Sequence, residues 1–323
     1  MTSRYRTDDL RRRQVLKLGA TSLAAASLVA CGGGGQSSAP TSPTTPPATD
    51  TPSKGPVSED PAIAQKSAKR GIAYDLADPQ DLAALAPGVS WWYAWGLRPN
   101  SGVSADFRLR YGLDFHPMLW NGNFDSSQVE SYLTAHPEIQ YLLLLNEPNL
   151  TDQANLTPAQ AAQLWPRYES VASRTGVKLV GPAMTWGTMP GFSDPVVWLD
   201  AFYAEFRAAN GNRDPRIDFL AFHWYDYGLA AQLDRLNKFG KSFWVTEFAN
   251  WHNQADGAQI DSVAKQKAQM SDMVATCESR SDVFRYAWFT GRWASDPHFT
   301  SLLGASGELT ELGRHYLTLP FVG

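Results

Sequence analysis

The chain has 323 residues, a formal net charge of −4 and only two cysteines. That acidic balance excludes nucleic acid and anionic surfaces as natural partners, and the lone cysteine beyond residue 31, Cys277, excludes an intrachain disulfide in the folded part. The length left after an N-terminal preamble suits one large α/β domain, with no second linker to divide it.

In the preamble, Arg11, Arg12 and Arg13 precede Gln14, Val15, Leu16 and Lys17, and an apolar stretch runs from Leu18 to Ala30. This is a charged n-region and a short h-region, well below the roughly 20 residues that span a membrane. It resembles a twin-arginine export signal. Leu28-Val29-Ala30-Cys31 resembles a lipobox, whose cysteine is lipidated and becomes the new N-terminus. The alternative, a buried helix, sits poorly beside the adjoining segment: Gly32 to Pro61 holds 22 Gly, Ser, Thr or Pro in 30 residues. Such a composition buries too little apolar area to offset its ordering entropy and reads as a flexible tether.

We therefore expect a lipoprotein-type signal over 1–31, a disordered tether over 32–66 and a folded domain over 67–323. The domain would be exported and held by lipid on Cys31 to a membrane facing the periplasm or cell exterior. Residues 1–30 carry six Lys or Arg and two Asp, so their removal takes the charge from −4 to about −8.

Within the domain, short apolar runs recur: Arg70–Asp75, Val89–Gly96, Asp114–Trp120, Tyr141–Pro148, Lys178–Met184, Phe219–Asp226, Phe243–Asn250 and Val283–Thr290. Stretches of helical spacing lie between most of them. Thr157-Pro158-Ala159-Gln160 supplies an N-cap, a proline at the first helical position and a glutamine at the third, opening a helix to about Arg174. Pro195 to Ala209 and Ile260 to Cys277 are similarly amphipathic. The first two connections are the least regular. Eight strand-like runs alternating with helices predict a (β/α)8 TIM barrel, α/β in class, as a single domain. No Gly-rich dinucleotide fingerprint follows the first run, as an open doubly wound sheet would want.

In such barrels chemistry sits at the C-terminal ends of the strands. Two glutamates stand there: Glu147 ends the fourth run and Glu247 the seventh. By alternation, Leu143, Leu145 and Glu147 share one face, and Phe243, Val245 and Glu247 another. Facing the barrel interior, both carboxylates would meet at its mouth. Most other glutamates, such as Glu130, Glu169, Glu205 and Glu278, lie in helical stretches. A carboxylate pair across a cleft is what glycoside hydrolysis requires, one as proton donor and the other as nucleophile.

Asn146-Glu147-Pro148 with Glu247 resembles the pattern of clan A retaining glycosidases. Gly71–Asp75, Ser90–Gly96, Pro117–Asn121, Leu143–Asn149, Leu179–Met184, Asp218–Tyr227 and Trp244–Ala249 together are similar to glycoside hydrolase family 128, the Asl1-like glycosyl hydrolase catalytic core group. The resemblance implies retaining hydrolysis of β-1,3-glucan, with Glu147 as acid/base and Glu247 as nucleophile. It also implies that Asn146 bonds the sugar 2-hydroxyl, although Asn146 suits a loop-capping role as well.

His223 and Tyr225 share a face beside the seventh run and are candidates to bond Glu247. Of the 12 tryptophans, Trp95, Trp120, Trp186, Trp251, Trp288 and Trp293 lie at or beyond strand ends. Flat indoles suit sugar C–H faces, and Trp95, Trp120, Trp186 and Trp288 are the candidate substrate contacts. Trp91, Trp92, Trp165, Trp198 and Trp244 read as core.

Other chemistries lack their residues. There is no G-x-S-x-G elbow, Phe239-Gly240-Lys241-Ser242 lacks the earlier P-loop glycine, and the six histidines show no zinc spacing. We expect no cofactor and no metal, a monomer, and a polysaccharide partner. The open alternatives are a clan A enzyme acting on β-1,4-glucan, mannan or xylan, and a non-catalytic carbohydrate-binding lipoprotein.

Overall fold

The computed structural model describes residues 66–322. The expected signal segment, the lipobox at Cys31 and the tether as far as residue 65 lie outside these residues. Lys66, expected as the last tether residue, belongs to the fold. Its ammonium donates to the carbonyls of Ala86, Val89 and Gly112 at 3.0, 2.7 and 2.9 Å.

Nine parallel strands form one curled sheet: β1 (Arg70–Ala73), β2 (Trp91–Tyr93), β3 (Asp114–Phe115), β4 (Met118–Leu119), β5 (Tyr141–Leu144), β6 (Lys178–Met184), β7 (Phe219–Trp224), β8 (Phe243–Phe248) and β9 (Val283–Trp288). Their order is β3-β2-β1-β9-β8-β7-β6-β5-β4. Eight runs were expected; the ninth strand arises because the third run divides at His116-Pro117. Proline has no N–H for the ladder. β3 pairs with β2 and β4 with β5, so the two ends of the sheet are pieces of one continuous run. The gap is bridged on both sides, by His116 N–H to the Trp92 carbonyl at 3.0 Å and Leu143 N–H to the Pro117 carbonyl at 2.9 Å.

The helices are α1 (Pro79–Leu85), α2 (Phe107–Tyr111), α3 (Ser126–Ala135), α4 (Pro158–Thr175), α5 (Pro195–Ala209), α6 (Leu229–Leu236), α7 (Val263–Ser279) and α8 (Glu311–Thr318). α4 opens with the expected capping box, Thr157 and Gln160 each satisfying the other's backbone N–H. α5 follows Asp194 as N-cap with Pro195 in its first turn. α1 and α2, in the two connections read as least regular, are short.

The concave side of the sheet is filled towards the strand starts by aromatic rings. Trp244 packs against Trp91, His116 and Tyr141 at centroid distances of 5.0, 5.1 and 5.0 Å, and the Arg285 guanidinium lies 5.2 Å from the Trp244 ring. Gly71 makes room for this layer: a Cβ there would meet the Trp91 ring at 2.3 Å. The layer forms a floor beneath the strand ends, where the two glutamates stand.

Candidate active site

Glu147 is delivered by a distorted strand end rather than by alternation. β5 stops at Leu144, and Leu145 and Glu147 both adopt left-handed backbone, φ 54° and 47°. For residues with a Cβ such conformations cost of order 1–3 kcal/mol each and persist only where the surroundings impose them. Here the backbone N–H groups of Leu145, Asn146 and Glu147 donate to the carbonyls of Leu119, Trp120 and Ala183 at 3.0, 2.9 and 2.8 Å. The Asn149 amide then ties the following loop to the Thr185 carbonyl at 2.7 Å. The expectation that Leu143, Leu145 and Glu147 share a strand face is therefore corrected.

Glu247 reaches the same place by a different irregularity. On β8, Val245 pairs with Phe222 and Glu247 with His223, which leaves Thr246 as an extra residue in a bulge. Glu247 thus comes level with His223 through the bulge, and simple alternation with Phe243 and Val245 does not hold. A bulge of this kind re-aims side chains at a strand end. Three donors meet the Glu247 carboxylate. Tyr93 Oη and Trp95 Nε1 donate to Oε1 at 2.7 and 2.8 Å, and the Tyr225 hydroxyl donates to Oε2.

His223 stands between the two carboxylates. Its Nδ1 is 3.0 Å from Glu147 Oε1 and 3.5 Å from Glu247 Oε2, and its Nε2 is 2.9 Å from Thr246 Oγ1. Donor atoms of Glu147, His223 and Glu247 all lie within 4.8 Å of one another, and the two glutamates are 2% and 5% exposed. Carboxylate, imidazole and carboxylate at this spacing could ligate a metal. The oxygens of Glu247 already receive N–H and O–H donors, however, a setting that suits an anion held by hydrogen bonds.

Against that geometry stand the likenesses to known proteins. The family described as glycosyl hydrolase catalytic core matches residues 71–316. An endo-β-1,3-glucanase of family 128, subgroup II, from Pseudomonas viridiflava is 62% identical, at TM-score 0.79, covering 80% of this chain and all of that one. The chain belongs to glycoside hydrolase family 128. A subgroup I family 128 endo-β-1,3-glucanase from Amycolatopsis mediterranei, solved with laminaritriose, is 26% identical at TM-score 0.61, covering 77% of this chain and 98% of that one. Alkali-sensitive linkage protein 1 of Schizosaccharomyces pombe is 28% identical over 266 residues, 78% of this chain but 45% of that protein's length. As a family 128 member, the chain is a glycoside hydrolase.

The remaining candidate residues of this family 128 domain divide. Trp95, half-buried, points its indole N–H at Glu247. Tyr225 bonds the same carboxylate while its ring packs on Trp251 at a centroid distance of 4.0 Å. His223, expected beside Glu247, is nearer Glu147. Asn146 is buried, and its amide N–H donates to Gln153 Oε1 at 3.1 Å while its Oδ1 has no hydrogen-bond partner among the described residues. Trp120 lies half-buried, and its backbone carbonyl anchors Asn146. Trp186 turns towards α6, donating to Gln232 at 3.0 Å with Arg235 over its ring.

Trp288 is a correction. It is fully buried, its N–H is taken by the Thr300 carbonyl at 2.8 Å, and its ring packs on Phe248, so it has no surface to offer a sugar. Two residues that touch this cluster had no place among the candidates, Tyr93 and Thr246. Tyr93 closes β2, so the strand-end rule that selected the glutamates would have found it. Burial, and then the Glu247 charge, hold its hydroxyl far above the ordinary tyrosine range, so it stays a neutral donor.

Proposed function

We propose that this family 128 enzyme cleaves β-1,3-glucan with retention of configuration, through Glu147 as acid/base and Glu247 as nucleophile. The observation that carries the reading is the asymmetric pair: two buried carboxylates, an oxygen of each within 4.8 Å of the other's, one ringed by three donors, the other beside an imidazole. Retaining glycosidases hold their carboxyl groups about 5–5.5 Å apart, whereas inverting enzymes need roughly 6.5–9.5 Å to admit a water. The β-1,3-glucan reading rests on the similar enzymes described as endo-β-1,3-glucanases, one of them holding laminaritriose.

The donors of Tyr93, Trp95 and Tyr225 suit an ionised Glu247. Buried like charges resist joint ionisation, so the proton of the pair falls to Glu147. Glu247 attacks the anomeric carbon as the C1–O bond breaks, and Glu147 gives its proton to the departing oxygen. Glu147, now a carboxylate, takes a proton from water, whose oxygen attacks C1 and releases Glu247. We assign to Asn146, next to Glu147 in the chain and with its Oδ1 unpartnered among the described residues, the bond to the sugar 2-hydroxyl, where contact strengthens in the transition state.

We read the nine-stranded sheet as a clan A (β/α)8 barrel: counting β3 and β4 as one strand broken by Pro117 gives eight strands and eight helices. We also propose export and lipid attachment at Cys31, on the strength of the Arg11–Arg13 and Leu28–Cys31 patterns, with the domain acting as a monomer at the end of its tether.

The deciding experiment is Glu247→Gln assayed on laminarin. We expect loss of reducing-end release by a factor of at least ~10⁴, and undiminished hydrolysis would end the assignment. Glu147→Ala should fail on glucan but recover in part with azide and an activated aryl glycoside. Recovery by Glu247→Ala instead would exchange the two roles. Parallel assays on β-1,4-glucan, mannan and xylan test the substrate, and glucan binding without cleavage would point to the non-catalytic alternative.

A further inference from the structure

The bulge in β8 brings two consecutive side chains onto one imidazole. On a regular strand Thr246 and Glu247 would point to opposite faces. Here Thr246 Oγ1 sits 2.9 Å from His223 Nε2 while Glu247 Oε2 sits 3.5 Å from His223 Nδ1. Thr246 and His223 are both fully buried.

The hydroxyl of Thr246 has one hydrogen-bond partner among the described residues, His223 Nε2. If Nε2 carried a proton and donated it, the hydroxyl hydrogen of Thr246 would be left buried with no acceptor, at about 1–3 kcal/mol. With Nε2 unprotonated, the hydroxyl donates to it and nothing is left unsatisfied. Nδ1 then carries the ring's only proton, pointing at Glu147 Oε1 3.0 Å away. Among the described residues, the titratable groups paired with His223 are Glu147 beyond β5 and Glu247 on β8. Beyond them Tyr93 and Tyr225 are hydrogen-bonded to Glu247. None is a cation.

We propose that Thr246 is a positioning residue that holds His223 neutral, with its proton on Nδ1, so that Glu147 keeps the proton it must deliver to the leaving oxygen. A doubly protonated imidazole between the carboxylates would satisfy both negative charges at once and draw the proton off Glu147. The neutral ring donates one hydrogen bond to Glu147 and orients it without neutralising the pair. This rests on the acid/base role argued above.

The test reads the protons directly. In ¹⁵N spectra of the imidazoles of the purified protein, with His223 assigned by its loss in His223→Gln, wild type should show Nδ1 protonated and Nε2 bare across the pH range of activity. Thr246→Val, which removes the hydroxyl, should let a proton appear on His223 Nε2 in the same spectra. Its kcat/KM on laminarin should fall at least ~3-fold more at the acid end of the profile than at the optimum. Thr246→Ser, which keeps the hydroxyl, should restore both. A protonated Nε2 in active wild type, or a Thr246→Val protein that keeps Nε2 bare and cleaves like wild type, overturns the proposal. The spectra stand apart from activity: if Glu147→Ala still cleaved glucan, the acid/base reading would fall while the proton on His223 was still settled.

Discussion

At the scale of single residues, the site turns on how many donors each carboxylate meets. Glu247 receives three, and two of them come from tyrosines whose replacement by phenylalanine keeps the ring. A hydrogen bond to a charged group contributes about 1.5–3 kcal/mol. Tyr93→Phe and Tyr225→Phe should therefore each lower kcat/KM on laminarin by about 10- to 100-fold, with the fold intact by circular dichroism. Trp288→Phe should do the reverse. Its indole bonds a backbone carbonyl in the core, so the change should lower stability by about 1–3 kcal/mol and leave kcat/KM within about twofold. A stability effect confined to Trp288, set beside a kinetic effect confined to the tyrosines, is the pattern that checks the division drawn between them.

At the scale of elements, the strand ends matter more than the strands. β5 and β8 both stop being regular where they become useful: β5 through left-handed Leu145 and Glu147, β8 through the Thr246 bulge. The first and last elements are joined by one buried side chain. Arg70 on β1 donates to the carbonyls of Tyr316 and Leu319 at the end of α8, at 2.7 Å each, and to Tyr286 Oη at 3.0 Å. Carbonyls at a helix C-terminus are unpaired within the helix and favour a cation. Arg70→Met should remove at least ~3 kcal/mol of stability and lower the melting temperature by roughly 6–12 °C. A melting temperature unchanged by this substitution would show that α8 is held by its apolar face alone.

For the whole molecule, the proposed lipid and tether matter to where the enzyme works rather than to its chemistry. Cys31→Ser should release activity from the membrane fraction to the soluble one, with kcat/KM on soluble laminarin unchanged. Activity that stays with the membranes would show that another segment anchors the chain.

Much of this protein is legible in its residues. Periodicity located the runs that became strands, and α5 falls at Pro195–Ala209 as its cap and proline dictate. The rule that chemistry sits at C-terminal strand ends picked out Glu147 and Glu247, because strand order is a one-dimensional property and carboxylates at apolar strand ends are rare. Local rules failed where the backbone departs from regularity. Alternation assigned faces to Leu145 and Glu247 that a left-handed turn and a bulge overrule, and it gave no reason to single out Thr246. Nor could composition tell Trp95 from Trp288, which differ only in what the fold brings near their N–H groups: a carboxylate for one, the Thr300 carbonyl for the other. By itself the sequence determined the strand-forming runs, three of the helices, their order and the two strand-end glutamates. Only the tertiary structure decided which neighbours surround each carboxylate, because those neighbours come from β2, β7 and β8, strands distant in the chain that meet only when the sheet curls.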